Sequence, residues 1–192
     1  MRGNKHHVDG MRQRESPDAA KVPMNFVATA DGWLNIDGRK VRCALGPAGV
    51  APAAAKREGD GASPAGVWPI REVWYRPDRG PPPATEIRVH AMAEDDGWCD
   101  DPADPAYNRH VKLPYPARAE RLWREDGVYD IVVVLGHNDD PPVPGLGSAI
   151  FLHICRPGYP PTEGCVAIER SDLEDLLEKA QPGEAVEIRM TT

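Results

Sequence analysis

No stretch of this chain stays apolar for long. The longest run, residues 131–135, is Ile-Val-Val-Val-Leu, far short of the roughly 18 residues that a membrane-spanning helix needs. Positive charge is also in deficit: 23 Lys and Arg stand against 30 Asp and Glu, for a net charge of −7. Proteins that work on nucleic-acid backbones ordinarily carry a basic stripe, so neither nucleic acid nor a membrane span is expected as a partner. The four cysteines, Cys43, Cys99, Cys155 and Cys165, include no C-x-x-C pair, which removes the strong zinc signatures and the thioredoxin motif. Their even number permits disulfides, and their sparseness does not require them. The acidic stretch at residues 94–108 lacks the alternating order of a calcium loop, and reads as a solvated loop without a metal. No internal repeat is visible. Residues 1–21 offer no apolar core of a signal peptide. Residues 1–22 read as a disordered leader, and the protein is expected in the cytoplasm, or in the periplasm or cell envelope once a signal has been removed.

What remains is an ordinary globular composition, 41% hydrophobic and 28% charged, of a size that suits one domain, residues 23–192. Proline (21) and glycine (18) together exceed a fifth of the 192 residues, and helical periodicity is convincing only near the C-terminus. The expected fold is mainly β with long loops. Residues 25–30, 33–36 and 40–45 read as a meander whose second turn is Asp37-Gly38. Residues 67–75, 86–92, 128–136, 149–155 and 184–190 read as further strands, with 128–136 buried on both faces and central to the sheet. Residues 117–124 read as a short helix. Ser171 and Glu174 form a capping box ahead of Leu173, Leu176, Leu177 and Ala180, a helix stopped by Pro182-Gly183. The loop at 46–61 carries a basic tip at Lys56 and Arg57.

Chemistry concentrates in residues 147–168. Period-two alternation puts Ala149, Phe151, His153 and Cys155 on one face of a strand, and Ile150, Leu152 and Ile154 on the other. A proline- and glycine-rich loop at 156–164 then returns Cys165 to the end of that strand, where an imidazole and a thiol form a base and a nucleophile. Gly164 permits backbone angles that aim its own amide and that of Cys165 at a developing oxyanion. The residues alone leave a plainer reading open, with Cys165 a small hydrophobe opening a strand and His153 a core histidine. Cys155 lies on the His153 face and reads as core, and His90, His110 and His137 as surface or structural. Trp98 and Tyr107, aromatic residues on a long loop, are expected to line a groove.

The order His153, loop, Thr162-Glu163-Gly164-Cys165-Val166 resembles the catalytic segment of the YkuD-type L,D-transpeptidases. In that family a strand-end histidine precedes Ser/Thr-His-Gly-Cys, a hydrophobic residue and often an arginine. A second stretch, Ser63-Pro64-Ala65-Gly66-Val67-Trp68-Pro69-Ile70, is similar to the family's Thr-Pro-x-Gly-x-Phe turn and strand, and the resemblance extends over residues 41–188. It implies a β-rich sandwich-like domain with a short C-terminal helix. It also implies a cysteine acyltransferase for the L,D peptide bond of peptidoglycan tetrapeptide stems, with Cys165 as nucleophile and His153 as base. An amine resolves the acyl-enzyme in a transpeptidase, and water in a carboxypeptidase. No cofactor is implied, and a carbapenem-type inhibitor is an expected covalent ligand. Three positions depart from the pattern: Glu163 replaces a histidine, Ala167 an arginine, and Ile154 a glycine. Arg156 is the expected substitute for the missing arginine, so Arg156, Thr162 and Glu163 join Trp98 and Tyr107 as expected contacts of the stem peptide. A module of the same fold that binds muropeptides with impaired catalysis is the alternative. If thiolate and imidazolium form the resting pair, the thiol titrates below its usual value of about 8.5 and the histidine above about 6.5.

Overall fold

The computed structural model describes residues 26–191; the expected leader lies outside them. The meander forms as β1 (Phe26–Thr29), β2 (Trp33–Ile36) and β3 (Arg39–Arg42). Its second turn places Asp37 at φ 48° and Gly38 at φ 90°, the two left-handed residues that a tight hairpin demands. β4 (Val50–Pro52) leads into β5 (Ser63–Tyr75), which starts four residues earlier than alternation predicts. β6 (Val89–Ala91), β7 (Asp96–Cys99), β8 (His110–Lys112) and β9 (Ala119–Arg121) are short. β10 (Ile131–Leu135), β11 (Phe151–Ile154), β12 (Val166–Ile168), α1 (Arg170–Lys179) and β13 (Ala185–Arg189) complete the chain.

The main sheet runs β12-β11-β10-β5-β13-β1-β2-β3, with β4 and β6 also on β5. Strand β5 is the spine, because its first half pairs antiparallel with β13 and its second half with β10. The two ends of this path meet. Ala44, just past β3, forms an antiparallel bridge with Ala167 of β12, its N–H donating at 2.8 Å and its carbonyl accepting at 3.0 Å. The sheet is thereby curled into a near-barrel with an inner core that includes Phe26, Leu34, Val133, Leu152, Val166 and Ile188. Helix α1 adds Leu173, Leu176 and Leu177 to that core.

As the continuous apolar run of β10 implies, its two faces are both covered. Ile131, Val133 and Leu135 face the inner core, while Val132 and Val134 face a second, outer cluster with Trp74, Trp98, Phe151 and Cys165. That cluster includes Trp98 from a small sheet, β8-β7-β9, which corrects two expectations. Residues 117–124 form no helix, because residues 119–121 are drawn into pairing with β7 and Leu122 is buried in the outer cluster; tertiary pairing overrides local propensity here. Nor is the acidic stretch solvated throughout: residues 100–106 form a loop, but the strand before it is buried. All four residues of β7 are buried, and Asp96 is held by the Ala93 N–H, His110 and Lys112, each at 2.7 Å.

Two smaller corrections follow from side-chain partners. Lys56, expected at an exposed tip, is 2% exposed; its ammonium donates to Asp60 and to the Arg57 carbonyl, which makes burial of the charge tolerable. Helix α1 begins at Arg170 with Glu169 as its N-cap and no side-chain cap bond, so Ser171 lies inside the first turn and makes no capping box. Arg170 there reaches Asp130 at 2.5 Å. No metal-holding group of His, Cys, Asp or Glu is found among the described residues, and no helix is long and apolar enough to cross a membrane.

Candidate active site

Strands β11 and β12 place the two candidate side chains, His153 and Cys165. They pair in parallel, with Leu152 opposite Val166 and His153 opposite Ala167. A parallel return forces the 156–164 loop to travel back along the whole strand. Cys165 therefore arrives level with Phe151, near the beginning of β11, and not at its end as the sequence suggests. His153 and Cys165 line the same cleft, but one pleat apart on adjacent strands, a Cα separation of about 8 Å from the strand spacings.

Each side chain is held by the backbone. The Cys165 thiol donates to the Ala149 carbonyl at 3.2 Å and its sulfur accepts the Phe151 N–H at 3.4 Å. His153 Nδ1 lies 2.9 Å from the Ile154 carbonyl. A carbonyl only accepts, so Nδ1 carries the proton and the neutral ring keeps its lone pair on Nε2. The edge of Tyr129 packs on this imidazole, with ring centroids 5.1 Å apart at 76°.

Burial governs the protonation of both groups. Cys165 is 7% exposed, and desolvation pushes its thiol up to about 12, with Glu120 and Glu163 adding to the rise and the Phe151 N–H opposing it. His153 is lowered to about 4, by burial first, with Arg124 and Arg156 also disfavouring the cation against the Ile154 carbonyl and Asp126. Desolvation penalises both charged forms, so the resting pair is neutral thiol and neutral imidazole. That corrects the thiolate–imidazolium expectation. The carboxylate at 163 is felt at the sulfur, where it disfavours the anion.

The cleft has a volume of about 470 Å³, and Arg156, Thr162 and Glu163 are among the residues that line it. Arg156 and Arg124 both turn to Asp126, at 2.7 Å, whose carboxyl they hold well below the usual range, Arg124 contributing most. Thr162 spends its hydroxyl on the loop, donating to the Cys165 carbonyl at 2.7 Å and accepting the Gly164 N–H at 3.2 Å. The Gly164 amide is thus already engaged, and of the two amides that the sequence offers to an oxyanion, Cys165's is the remaining candidate. Gly164 itself sits at φ +126°, and a Cβ there would lie 2.8 Å from the Ala62 carbonyl oxygen; only glycine lets the loop pass this close.

Trp98 and Tyr107 do not line the cleft. Trp98, 7% exposed, packs edge-on against Phe151 at 5.3 Å and donates its indole N–H to Asn108 at 2.9 Å. Tyr107, 3% exposed, donates its hydroxyl to Glu58 at 2.5 Å. The small sheet turns both rings inward, so they support the site from beneath.

Several wall residues have no signal in the sequence. Tyr129 donates its hydroxyl to Glu120 at 2.7 Å, and burial raises the Glu120 carboxyl while this bond lowers it. Glu58 accepts the Ser148 hydroxyl at 2.7 Å and lines the cleft with it. Tyr129 could have been sought at the mouth of the buried β10 run. Glu58 and Glu120 lie on segments read as a plain loop and a helix.

The profile of YkuD, the L,D-transpeptidase catalytic domain, matches residues 26–188, and the chain belongs to that family. Comparison with curated proteins and with solved structures gives no significant match.

Proposed function

We propose that this member of the YkuD family cleaves the L,D peptide bond of a peptidoglycan tetrapeptide stem through an acyl-enzyme on Cys165. The observation that carries the reading is the fixed tautomer of His153, whose Nε2 is an unprotonated base in the same cleft as the thiol. Neutral reactants suit general-base attack. As Sγ adds to the scissile carbonyl its proton passes to Nε2, and the same proton then goes to the departing amine, leaving a thioester. The acceptor, an amine for transpeptidation or water for carboxypeptidation, gives its proton to Nε2 as it attacks, and the thiol is restored. Rotation of Sγ off the Ala149 carbonyl, towards the imidazole one pleat away, is the motion that the first transfer requires. Arg156, Thr162 and Glu163 are the contacts proposed for the stem peptide at the mouth of the cleft, and the cell envelope is the proposed place of work because its substrate is there.

Turnover of a purified tetrapeptide muropeptide, with products read by mass, tests this directly. Cys165→Ala is expected to abolish turnover and to leave thermal stability close to that of the parent; undiminished turnover sinks the assignment. A carbapenem is expected to add its mass to the intact protein and not to the variant. A second reading rests on the same electrostatics: with its thiol pushed up to about 12, the domain binds muropeptides and turns them over poorly. Saturable binding of the tetrapeptide with no product after prolonged incubation would favour that reading.

A further inference from the structure

The residue that carries the most structure around the thiol lies outside the lining of the cleft. Asn108 is 3% exposed and uses its whole amide. Its oxygen accepts the Trp98 indole N–H at 2.9 Å and the Ala149 backbone N–H at 3.0 Å. Its nitrogen donates to the His137 carbonyl at 3.0 Å and the Asn138 carbonyl at 2.8 Å. One side chain thereby ties the small sheet to the turn after β10 and to Ala149, two residues ahead of β11. Three of the residues in this knot, Asn108, Asn138 and Ala149, have positive φ of 55°, 50° and 51°. Asparagine tolerates that conformation; alanine does so only when its surroundings hold it there.

Ala149 is also the residue whose carbonyl receives the Cys165 S–H. We propose that Asn108 is a positioning residue: by holding Ala149 in its left-handed conformation it aims the Ala149 carbonyl at the sulfur, and so sets the rotamer of the nucleophile. The hydroxyl of the preceding Ser148 is pinned separately to Glu58, so the loop is fixed from two sides and Asn108 alone addresses the alanine amide. Without that bond Ala149 relaxes to an extended conformation and its carbonyl swings off the sulfur. The bond it loses stabilised the protonated thiol, whereas the Phe151 N–H that remains favours thiolate.

The inference rests on Cys165 as the nucleophile, but its test does not depend on turnover. The rate of iodoacetamide labelling at Cys165, read by mass, is followed against pH in the parent, in Asn108→Gly and in Asn108→Asp. Glycine accepts the positive φ and removes all four bonds. Aspartate keeps both acceptor bonds and loses the two donors. The charged and titratable groups that act on this thiol, namely Glu120, Glu163, Lys56 and Tyr129, and His153 in the same cleft, are untouched in both variants; Asn108→Asp adds one carboxylate of its own, which opposes thiolate. The labelling midpoint is expected to fall by about half to one pH unit in Asn108→Gly, the size of one lost hydrogen bond. In Asn108→Asp it is expected to stay or rise, although both variants melt below the parent. Turnover of Asn108→Gly should drop about tenfold in kcat, with KM within about twofold. A glycine midpoint that stays or rises overturns the proposal, and so does an equal fall in both variants. If Cys165→Ala retains turnover, the nucleophile assignment fails while the labelling midpoints still decide whether Asn108 positions the sulfur.

Discussion

An imidazole that resists its proton and a thiol that refuses to lose one make the stability of this protein depend on pH from both sides. Unfolded, His153 takes up a proton near pH 6.5; folded, it does so only near 4. Its contribution is therefore present above about 6.5 and is lost as pH falls towards 4, by about 2 kcal/mol between pH 7 and 5. His137, also buried and also lowered, adds in the same direction. On the alkaline side the unfolded thiol ionises near 9 and the folded one near 12, so stability declines as pH climbs past 9. Urea midpoints at pH 7 and pH 5 are expected to differ less in His153→Gln than in the parent; an identical difference would mean that this imidazole is solvated. At this scale the sequence was legible where reactive residue types recur in a recognisable spacing, as in His153 and Thr162 to Cys165. Asn108, Glu120 and Tyr129 were not legible, because what makes each matter is a partner from a distant part of the chain.

Elements were read well wherever the period was clean. The meander, the buried strand β10 and the C-terminal helix and strand all form close to where alternation and spacing put them. Misreadings cluster in residues 94–124, where charge suggested solvent and an Ala-Arg-Glu-Leu pattern suggested a helix. Those residues build the small sheet over the outer cluster, with carboxylates such as Asp96 paired to Lys112 and His110, and no local pattern announces a sheet of three- and four-residue strands. The same misreading put Trp98 in a substrate groove. As a core residue it has a different phenotype: Trp98→Ala is expected to cost about 3–5 kcal/mol of stability and to leave KM for the stem peptide nearly unchanged at temperatures where the variant is folded. A raised KM at parental stability would return the ring to the groove.

For the molecule as a whole, the feature least visible in the sequence is the seam at which the sheet's two ends meet. Ala44 and Ala167 carry no side-chain signal, since what joins them is backbone. Yet this seam flanks the outer side of a three-residue strand that begins right after Cys165, an edge that would otherwise offer unpaired amides and carbonyls to other chains. Ala44→Pro removes the N–H that donates to Ala167 at 2.8 Å, and is expected to destabilise the fold by about 1–3 kcal/mol. It should also accelerate iodoacetamide labelling of Cys165 in urea too dilute to change tryptophan fluorescence; labelling no faster than in the parent would show that the strand holds without its partner. The Cys165 thiol thus doubles as a strain gauge for the N-terminal meander. On the proposed assignment, heat or denaturant too mild to unfold the barrel is expected to disarm the sulfur by opening this seam, so that shelf life as an enzyme and shelf life as a folded protein would be set by two different thresholds.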